Sequence, residues 1–182
     1  PDAFDKGFEL RIASAYRSFY KQFKIFDDKF KGKRPVLDAN ENPMDISTLS
    51  DEQKVLEIIR FSAIPGFSRH HFGTDFDIYA INLLPQGKEL ELTAREYQKG
   101  NYFYKLGQYL AQNLIKFGFK RPFNGKGTIA FEPWHISFTK KADECIDAFP
   151  VDFALEYLLS FNEPWVKYAA AYAKEHYKEL LA

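Results

Sequence analysis

The chain has 182 residues, of which 46% are hydrophobic and 27% are charged. This composition predicts one globular domain and excludes a disordered chain, and no apolar run approaches the ~20 residues of a membrane span. Lysine plus arginine and aspartate plus glutamate each number 25, so the formal net charge is zero and no nucleic-acid-binding surface is expected.

Five elements are predicted for the first half of the chain. They are a strand over residues 10–15, a helix over 19–30, a loop over 32–48, a helix over 50–61 and a strand over 74–81. Apolar residues recur at helical spacing in the first helix, and Ser50 with Gln53 forms a capping box at the start of the second. The basic stretch Lys31–Arg34 is interpreted as a solvated turn.

The second half of the chain predicts three helices and one long strand. The helices span 102–117, 151–161 and 164–181, with Asn101 and Asn162 at the start of the first and the last, and the strand runs from 128–131 past Pro133 into 135–138. Strands and helices are mixed without the regular alternation of a parallel α/β sheet. The predicted fold is therefore α+β, a single domain with a small, largely antiparallel sheet flanked by helices.

The residues able to do chemistry concentrate in two segments, Ser68–Asp77 and Glu132–His135. A catalytic zinc ion takes three His or Asp/Glu ligands and keeps one position open, and His70, Asp77 and His135 supply such a set. Asp75 projects from the same strand face as Asp77, and Glu132 can accept a proton beside the metal. Spacing alone leaves open the alternative that these are structural polar residues.

Three motifs resemble those of the LAS zinc metallopeptidases, which include lysostaphin, D-Ala-D-Ala carboxypeptidases and sonic hedgehog. Ser68-x-His70-x-x-Gly73-x-Asp75-x-Asp77 is similar to the signature Ser-x-His-x-x-Gly-x-Ala-x-Asp. Glu132-Pro133-Trp134-His135 resembles the Glu-x-Trp-His of the VanY and VanX branch, and Ser14–Ser18 with Gln22 resembles its Ser-Gly-Tyr-Arg-Ser segment. The chain departs from the signature at Asp75, where the family usually has alanine.

The resemblance implies roles for individual residues. One zinc ion on the sheet would be held by His70, Asp77 and His135, with Glu132 as the general base and Arg17 facing the scissile carbonyl. The residues expected to contact the substrate are Ser68, Asp75, Trp134 and Ser137. For Asp75, a supporting role behind a zinc ligand and a local acidic pair with a raised pKa are the alternatives, and His71 is expected to be structural.

The resemblance also implies an activity, the removal of terminal D-Ala from peptidoglycan stem peptides by an L,D- or D,D-specific carboxypeptidase. A cross-link endopeptidase and a non-catalytic zinc-containing cell-wall binding module are the alternatives, and retention of Glu132 and Arg17 argues against the second. The substrate implies export to the periplasm or cell surface, and a monomer is favoured. Residues 1–182 would form one peptidase domain, with a family core over 12–159 and a C-terminal helical extension over 162–182.

Overall fold

A computed structural model describes all residues from Pro1 to Ala182. The strands are β1 (Leu10–Ser14), β2 (Val36–Leu37), β3 (Pro43–Met44), β4 (Asp75–Ala80), β5 (Phe119–Lys120) and β6 (His135–Phe138). The α-helices are α1 (Asp2–Asp5), α2 (Phe19–Phe30), α3 (Asp51–Ile59), α4 (Tyr104–Asn113), α5 (Thr139–Asp147), α6 (Val151–Leu159) and α7 (Val166–Leu181). None of these helices combines the length and the apolar character needed to cross a membrane.

Four strands form one antiparallel sheet in the order β1-β4-β6-β5, which confirms the predicted fold class. The register places Asp77 of β4 opposite Ser14 of β1 on one side and opposite His135 of β6 on the other. An irregularity in β1 between Ile12 and Ser14 shifts this register by one residue. Side chains from three neighbouring strands are thereby brought into one row across the sheet.

Two apolar clusters pack the helices around the sheet. The larger cluster joins α2, α3, α6 and α7, and it contains Phe26 and Trp165, whose ring centroids lie 4.6 Å apart. The smaller cluster packs α4 against β4 and β6, and it contains Ile78. Ile129 of the larger cluster and Trp134 of the smaller one line the same cavity. This cavity therefore lies where the two clusters approach each other.

The predicted strand over residues 128–131 is wrong, because this segment is an irregular loop. The Ala130 N–H donates to the carbonyl of Arg60, just after α3, at 3.0 Å, and the Thr128 hydroxyl lies 2.8 Å from the Tyr172 hydroxyl of α7. The polar groups of the loop thus bond to helical segments rather than to the sheet. Strand β6 begins only at His135, beyond Pro133, which has no N–H to contribute to a ladder.

Other boundaries also differ from the predictions. The predicted loop over 32–48 contains the hairpin of β2 and β3, and neither β5 nor α5 was predicted. Helix α4 begins at Tyr104 rather than next to Asn101, whose side-chain amide donates to the carbonyl of Arg95 at 2.5 Å. Helix α7 begins at Val166 without a side-chain cap from Asn162.

Candidate metal centre and active site

Three side chains of metal-ligand type converge on the sheet. His70 lies on a 3₁₀ turn, Arg69–Phe72, which ends at the left-handed Gly73. The His70 Nε2 atom is 3.3 Å from Asp77 Oδ2, and the His135 Nδ1 atom is 3.2 Å from Asp77 Oδ1. One ligand atom from each of the three residues lies within 4.8 Å of the others, and all three residues are buried. The structure therefore brings together the set expected from the sequence.

The outward-facing nitrogen of each imidazole has its own acceptor. His70 Nδ1 donates to the carbonyl of Ala15 at 2.9 Å, and His135 Nε2 donates to Asp75 Oδ1 at 2.9 Å. These bonds leave His70 Nε2 and His135 Nδ1 directed at Asp77. The Asp77 Oδ1 atom is buried and has no partner in hydrogen-bond geometry. Two oriented imidazoles and a carboxylate with an unused oxygen fit a zinc ion.

Charges within the cluster favour a cation at its centre. Burial lowers the pKa of His135, but contacts with Asp75, Asp77 and Glu132 outweigh burial and raise that pKa well above its usual value. Burial likewise opposes ionisation of Asp77, yet its contacts with His135 and His70 hold the pKa of the carboxyl far below its ordinary range. A positive charge among these side chains, either a proton or a metal ion, is therefore stabilised.

Asp75 belongs to a buried network behind His135. Its Oδ1 accepts from Arg69 Nε at 2.7 Å, and its Oδ2 accepts from Thr74 Oγ1 at 2.7 Å and from Ser137 Oγ at 3.1 Å. Arg69 also donates to Ser137 Oγ at 2.6 Å and to the carbonyl of Leu181 at the end of α7. Burial opposes ionisation of Asp75, but His135 and Arg69 hold its pKa well below the usual value.

This network corrects the expectation that Asp75 and Ser137 contact the substrate. Both side chains are fully buried, and neither lines the cavity. The strand parity was right, since Asp75 and Asp77 share one face of β4. The two carboxylates, however, contact opposite nitrogens of the same His135 ring, so Asp75 lies behind the ring and supports it. Its supporting place is one of the two alternatives that the sequence left open, and the other, an acidic pair with a raised pKa, is wrong because His135 and Arg69 lower the pKa of Asp75.

Glu132 lies beside the cluster, on the loop that precedes β6. Its Oε2 atom is 3.4 Å from His135 Nδ1, the same nitrogen that faces Asp77. Glu132 is not part of the three-residue set of ligand atoms, but it lines the same cavity. A carboxylate in this position can exchange protons with a molecule bound at the cluster.

Arg17 is held against the opposite side of Asp77. Its two terminal nitrogens donate to Gln22 Oε1 at 2.7 Å and to Ser14 Oγ at 2.9 Å, and Nη2 is 3.8 Å from Asp77 Oδ2. Its backbone N–H donates to the carbonyl of His70 at 3.0 Å. Burial lowers the pKa of Arg17, partly offset by the negative charges of Asp77 and Glu132. The motif of Arg17 is thus tied directly to the turn that carries His70.

His71 strengthens this connection. Its Nε2 accepts the Gly66 N–H at 3.1 Å, so the ring is the tautomer whose Nδ1 donates to the carbonyl of Arg17 at 2.5 Å. Burial lowers the pKa of His71, which favours the neutral ring that these two bonds require. The side chain fixes two backbone segments rather than facing a ligand. The fourth histidine, His176, lies on α7 and stacks on Tyr172.

A cavity of about 320 Å³ opens onto the cluster. Ser68 and Trp134, both expected to contact the substrate, line it, and the buried Ser68 hydroxyl has no hydrogen-bond partner. Lys29 at the end of α2 and Arg34 in the following turn also line it, and the turn over 31–34 is exposed, as the sequence predicted. No motif signals these two cations, because only the packing of α2 brings them to the cavity.

The fold and the site define an α+β domain whose sheet carries a His-Asp-His cluster with a glutamate and an arginine beside it. The chain belongs to the VanY D-alanyl-D-alanine carboxypeptidase family, whose sequence profile matches residues 1–141. This match contains every member of the candidate site. Helices α6 and α7 lie beyond it.

Two relatives from Haemophilus influenzae are both described as uncharacterized proteins. The first is 45% identical over 83 residues, which cover 44% of this chain and 63% of the relative. The second is 43% identical over 58 residues, which cover 32% of this chain and 40% of the relative. The matched segments thus span less than two-thirds of the length of these relatives.

Two solved structures are similar in fold. VanYB in complex with D-Alanine-D-Alanine has a TM-score of 0.54 and 22% identity, over 89% of this chain and 76% of that chain. A mutant of the vancomycin-resistance D,D-pentapeptidase VanY in complex with Zn(II) has a TM-score of 0.53 and 23% identity, over 80% and 69% of the respective chains. At this level of identity the likeness establishes a shared fold.

Proposed function

We propose that this protein is a zinc-dependent carboxypeptidase that removes terminal D-Ala from peptidoglycan stem peptides. The observation that carries the proposal is the convergence of His70, Asp77 and His135 within 4.8 Å at one cavity. Glu132 and Arg17, with the charges that hydrolysis requires, line the same cavity. Membership of the VanY family supports the substrate class.

In this proposal the chain holds zinc through His70, Asp77 and His135. A zinc ion in such a site supplies Lewis acidity, which activates water and polarises a carbonyl group. Glu132 accepts one proton from the attacking water while the oxygen of that water bonds to the scissile carbonyl carbon. Glu132 then delivers this proton to the leaving nitrogen as the C–N bond breaks, so a carboxylic acid and an amine result.

Arg17 provides fixed positive charge beside the reacting carbonyl. Because Gln22 and Ser14 hold its guanidinium, the group is already oriented before the substrate arrives. Donors that are oriented in advance stabilise the charge that develops on the carbonyl oxygen without a cost of reorganisation. His71 and the carbonyl of His70 fix the backbone of Arg17, so the distance from the guanidinium to the cluster is also set.

The cavity supports release of a single terminal residue. Its volume of about 320 Å³ lies near the lower end of ligand pockets, which span roughly 300–1,000 Å³. A short stem terminus suits this volume better than two cross-linked stems. The substrate class supports a location at the cell wall, in the periplasm or on the cell surface.

The activity is tested by incubating the protein with purified muropeptides, with and without a chelator. We expect release of D-Ala that the chelator abolishes and added zinc restores. Glu132→Gln should retain zinc by metal analysis while turnover falls by roughly 10²–10⁴-fold, the usual contribution of a general base. Glu144→Gln, an exposed carboxylate paired with Lys141, is the matched control and should behave like the wild type.

Two results would contradict these assignments. Loss of zinc from the Glu132→Gln protein would make Glu132 a ligand rather than a base. Cleavage restricted to cross-linked muropeptides, with no free D-Ala, would make the protein an endopeptidase.

A further inference from the structure

Two cations line the cavity without a partner. Lys29 forms no side-chain hydrogen bond or ion pair, and neither does Arg34. The other arginines of the cavity are engaged, Arg17 with Gln22, Ser14 and Asp77, and Arg69 with Asp75. Lys29 and Arg34 are therefore the cavity cations whose hydrogen-bonding capacity is free for a ligand.

The surroundings of Lys29 are unfavourable for an isolated ammonium group. Burial, with a smaller contribution from the positive charges of Arg34 and Arg17, lowers the pKa of Lys29 to about 8, while Glu132 acts in the opposite sense. A half-buried cation that lies near other cations gains from an added anion, because the anion offsets both desolvation and repulsion. The free protein contains no side chain that supplies this anion.

Lys29 and Arg34 are better placed than Arg17 to bind an anionic group of the substrate. The terminal nitrogens of Arg17 are bonded to Gln22 and Ser14, and Nη2 also lies 3.8 Å from Asp77 Oδ2. A substrate carboxylate at Arg17 would lie close to the Asp77 carboxylate and be repelled by it. Lys29 and Arg34 have no carboxylate within ion-pair distance, so they offer a binding position without this repulsion.

We propose that Lys29 and Arg34 form a carboxylate-binding subsite that holds an anionic group of the substrate next to the reacting bond. The inference deepens the proposed function and rests on it. A stem peptide offers two sources of this group, the terminal carboxylate and an acidic side chain. Arg34 presents a planar fork and Lys29 a compact ammonium, a combination that suits a bound carboxylate.

The experiment measures KM and kcat for two pairs of peptides with a terminal D-Ala. One pair differs only in a free or amidated C-terminus, and the other differs only in an acidic or amidated side chain. The proteins compared are the wild type, Lys29→Gln, Arg34→Gln and the control Lys33→Gln, an exposed lysine in the same turn that does not line the cavity.

We expect the wild type and Lys33→Gln to prefer the carboxylate form of one pair. Lys29→Gln and Arg34→Gln should raise KM for that form about tenfold, with kcat within about twofold, and the preference should disappear. The pair of peptides that shows the preference identifies the bound carboxylate as either the C-terminus or the acidic side chain. An unchanged ratio of carboxylate to amide in both variants would overturn the proposal.

A binding measurement separates this proposal from the proposed activity. The same peptides are titrated into the zinc-loaded Glu132→Gln protein by calorimetry, with and without Lys29→Gln or Arg34→Gln. We expect the carboxylate peptide to bind more tightly than the amide peptide, and this difference to be lost in Lys29→Gln and in Arg34→Gln. That result would support the subsite even if no hydrolysis is found. Hydrolysis of D-Ala peptides with equal binding of both forms would refute the subsite alone.

Discussion

At the scale of single residues, Asp75 and Asp77 are two positions apart on β4 and contact opposite nitrogens of the His135 ring. Asp77 is a candidate ligand, whereas Asp75 neutralises the buried Arg69 and orients the ring. The role of each aspartate therefore depends on which nitrogen of His135 it contacts, Nε2 for Asp75 and Nδ1 for Asp77. The Asp75–Arg69 pair is fully buried, so loss of one partner leaves an uncompensated charge.

Asp75→Asn is expected to lower the free energy of unfolding by about 3–5 kcal/mol, because the buried Arg69 loses its counter-charge. Zinc affinity should fall by roughly 10–100-fold, as is usual when the partner of a ligating histidine is changed. Denaturant unfolding and zinc titration measure the two effects. Asp143→Asn, which breaks the surface pair with Lys120, should change stability by less than about 1 kcal/mol. Unaltered zinc affinity in Asp75→Asn would show that Asp75 does not act through His135.

Lys29 makes the acid-over-amide preference of the proposed subsite depend on pH. In the free protein burial lowers the pKa of Lys29 to about 8, with Arg34 and Arg17 acting in the same direction and Glu132 against it. Lys29 is charged below this pH and loses its proton above it. A bound carboxylate favours the charged form, so binding weakens as the pH rises through about 8.

The measurement is the KM ratio of the carboxylate and amide peptides between pH 6.5 and 9.5 at roughly half-unit steps. Taking the ratio cancels any effect of pH that is common to both peptides. The wild-type preference should decline above about pH 8, whereas Lys29→Arg, which stays charged, should remain constant over this range. A parallel decline in both proteins would assign the titration to another group.

At the scale of elements, α7 is connected to the metal cluster although it lies far from the motifs in sequence. The carbonyl of Leu181 accepts from Arg69, which pairs with Asp75, which in turn holds His135. The buried Leu181 side chain keeps the end of the helix docked. The C-terminal helix is therefore part of the support of the site as well as of the larger apolar cluster.

Leu181→Ala should lower the free energy of unfolding by about 2–5 kcal/mol, the usual effect of truncating a buried leucine. Zinc affinity should fall as well, because a loosened helix end withdraws an acceptor from Arg69. Chemical denaturation and zinc titration provide the readouts. Leu159→Ala, at an exposed leucine of α6, should alter stability by no more than about 0.5 kcal/mol. Destabilisation without any change in zinc affinity would limit the role of α7 to packing.

At the scale of the whole molecule, the candidate centre joins segments that are distant in sequence. His70 comes from a turn, Asp77 from the middle of the sheet and His135 from the next strand. Zinc that binds only this folded arrangement should stabilise the entire domain by about 2.7 kcal/mol at a concentration 100 times the Kd. For a chain of this length that corresponds to a rise in Tm of about 5–10 °C.

Thermal unfolding of the metal-free protein with increasing zinc tests this expectation. Asp77→Ala, which lacks one proposed ligand, should show little or no rise in Tm. Calcium, which prefers oxygen ligands, is the matched control ion for the wild type. An equal rise for wild type and Asp77→Ala would place the zinc ion elsewhere on the protein.

The sequence by itself determined the fold class and the three proposed ligands. Strand periodicity places Asp75 and Asp77 on one face, and the two histidine motifs mark the segments that meet there. These signals are local or are contained in family motifs, so no tertiary information was needed to find them. The helices α2, α3, α6 and most of α4 and α7 were likewise predicted from apolar spacing and capping.

Only the tertiary structure decided what surrounds these ligands. Asp75 supports His135 instead of contacting the substrate, because the register of β4 and β6 places the ring between Asp75 and Asp77. Lys29 and Arg34 reach the cavity, and Leu181 reaches Arg69, through helix packing that joins residues far apart in the chain. The role of a buried charge depends on the partner that compensates it, and in the folded protein that partner can come from any part of the chain.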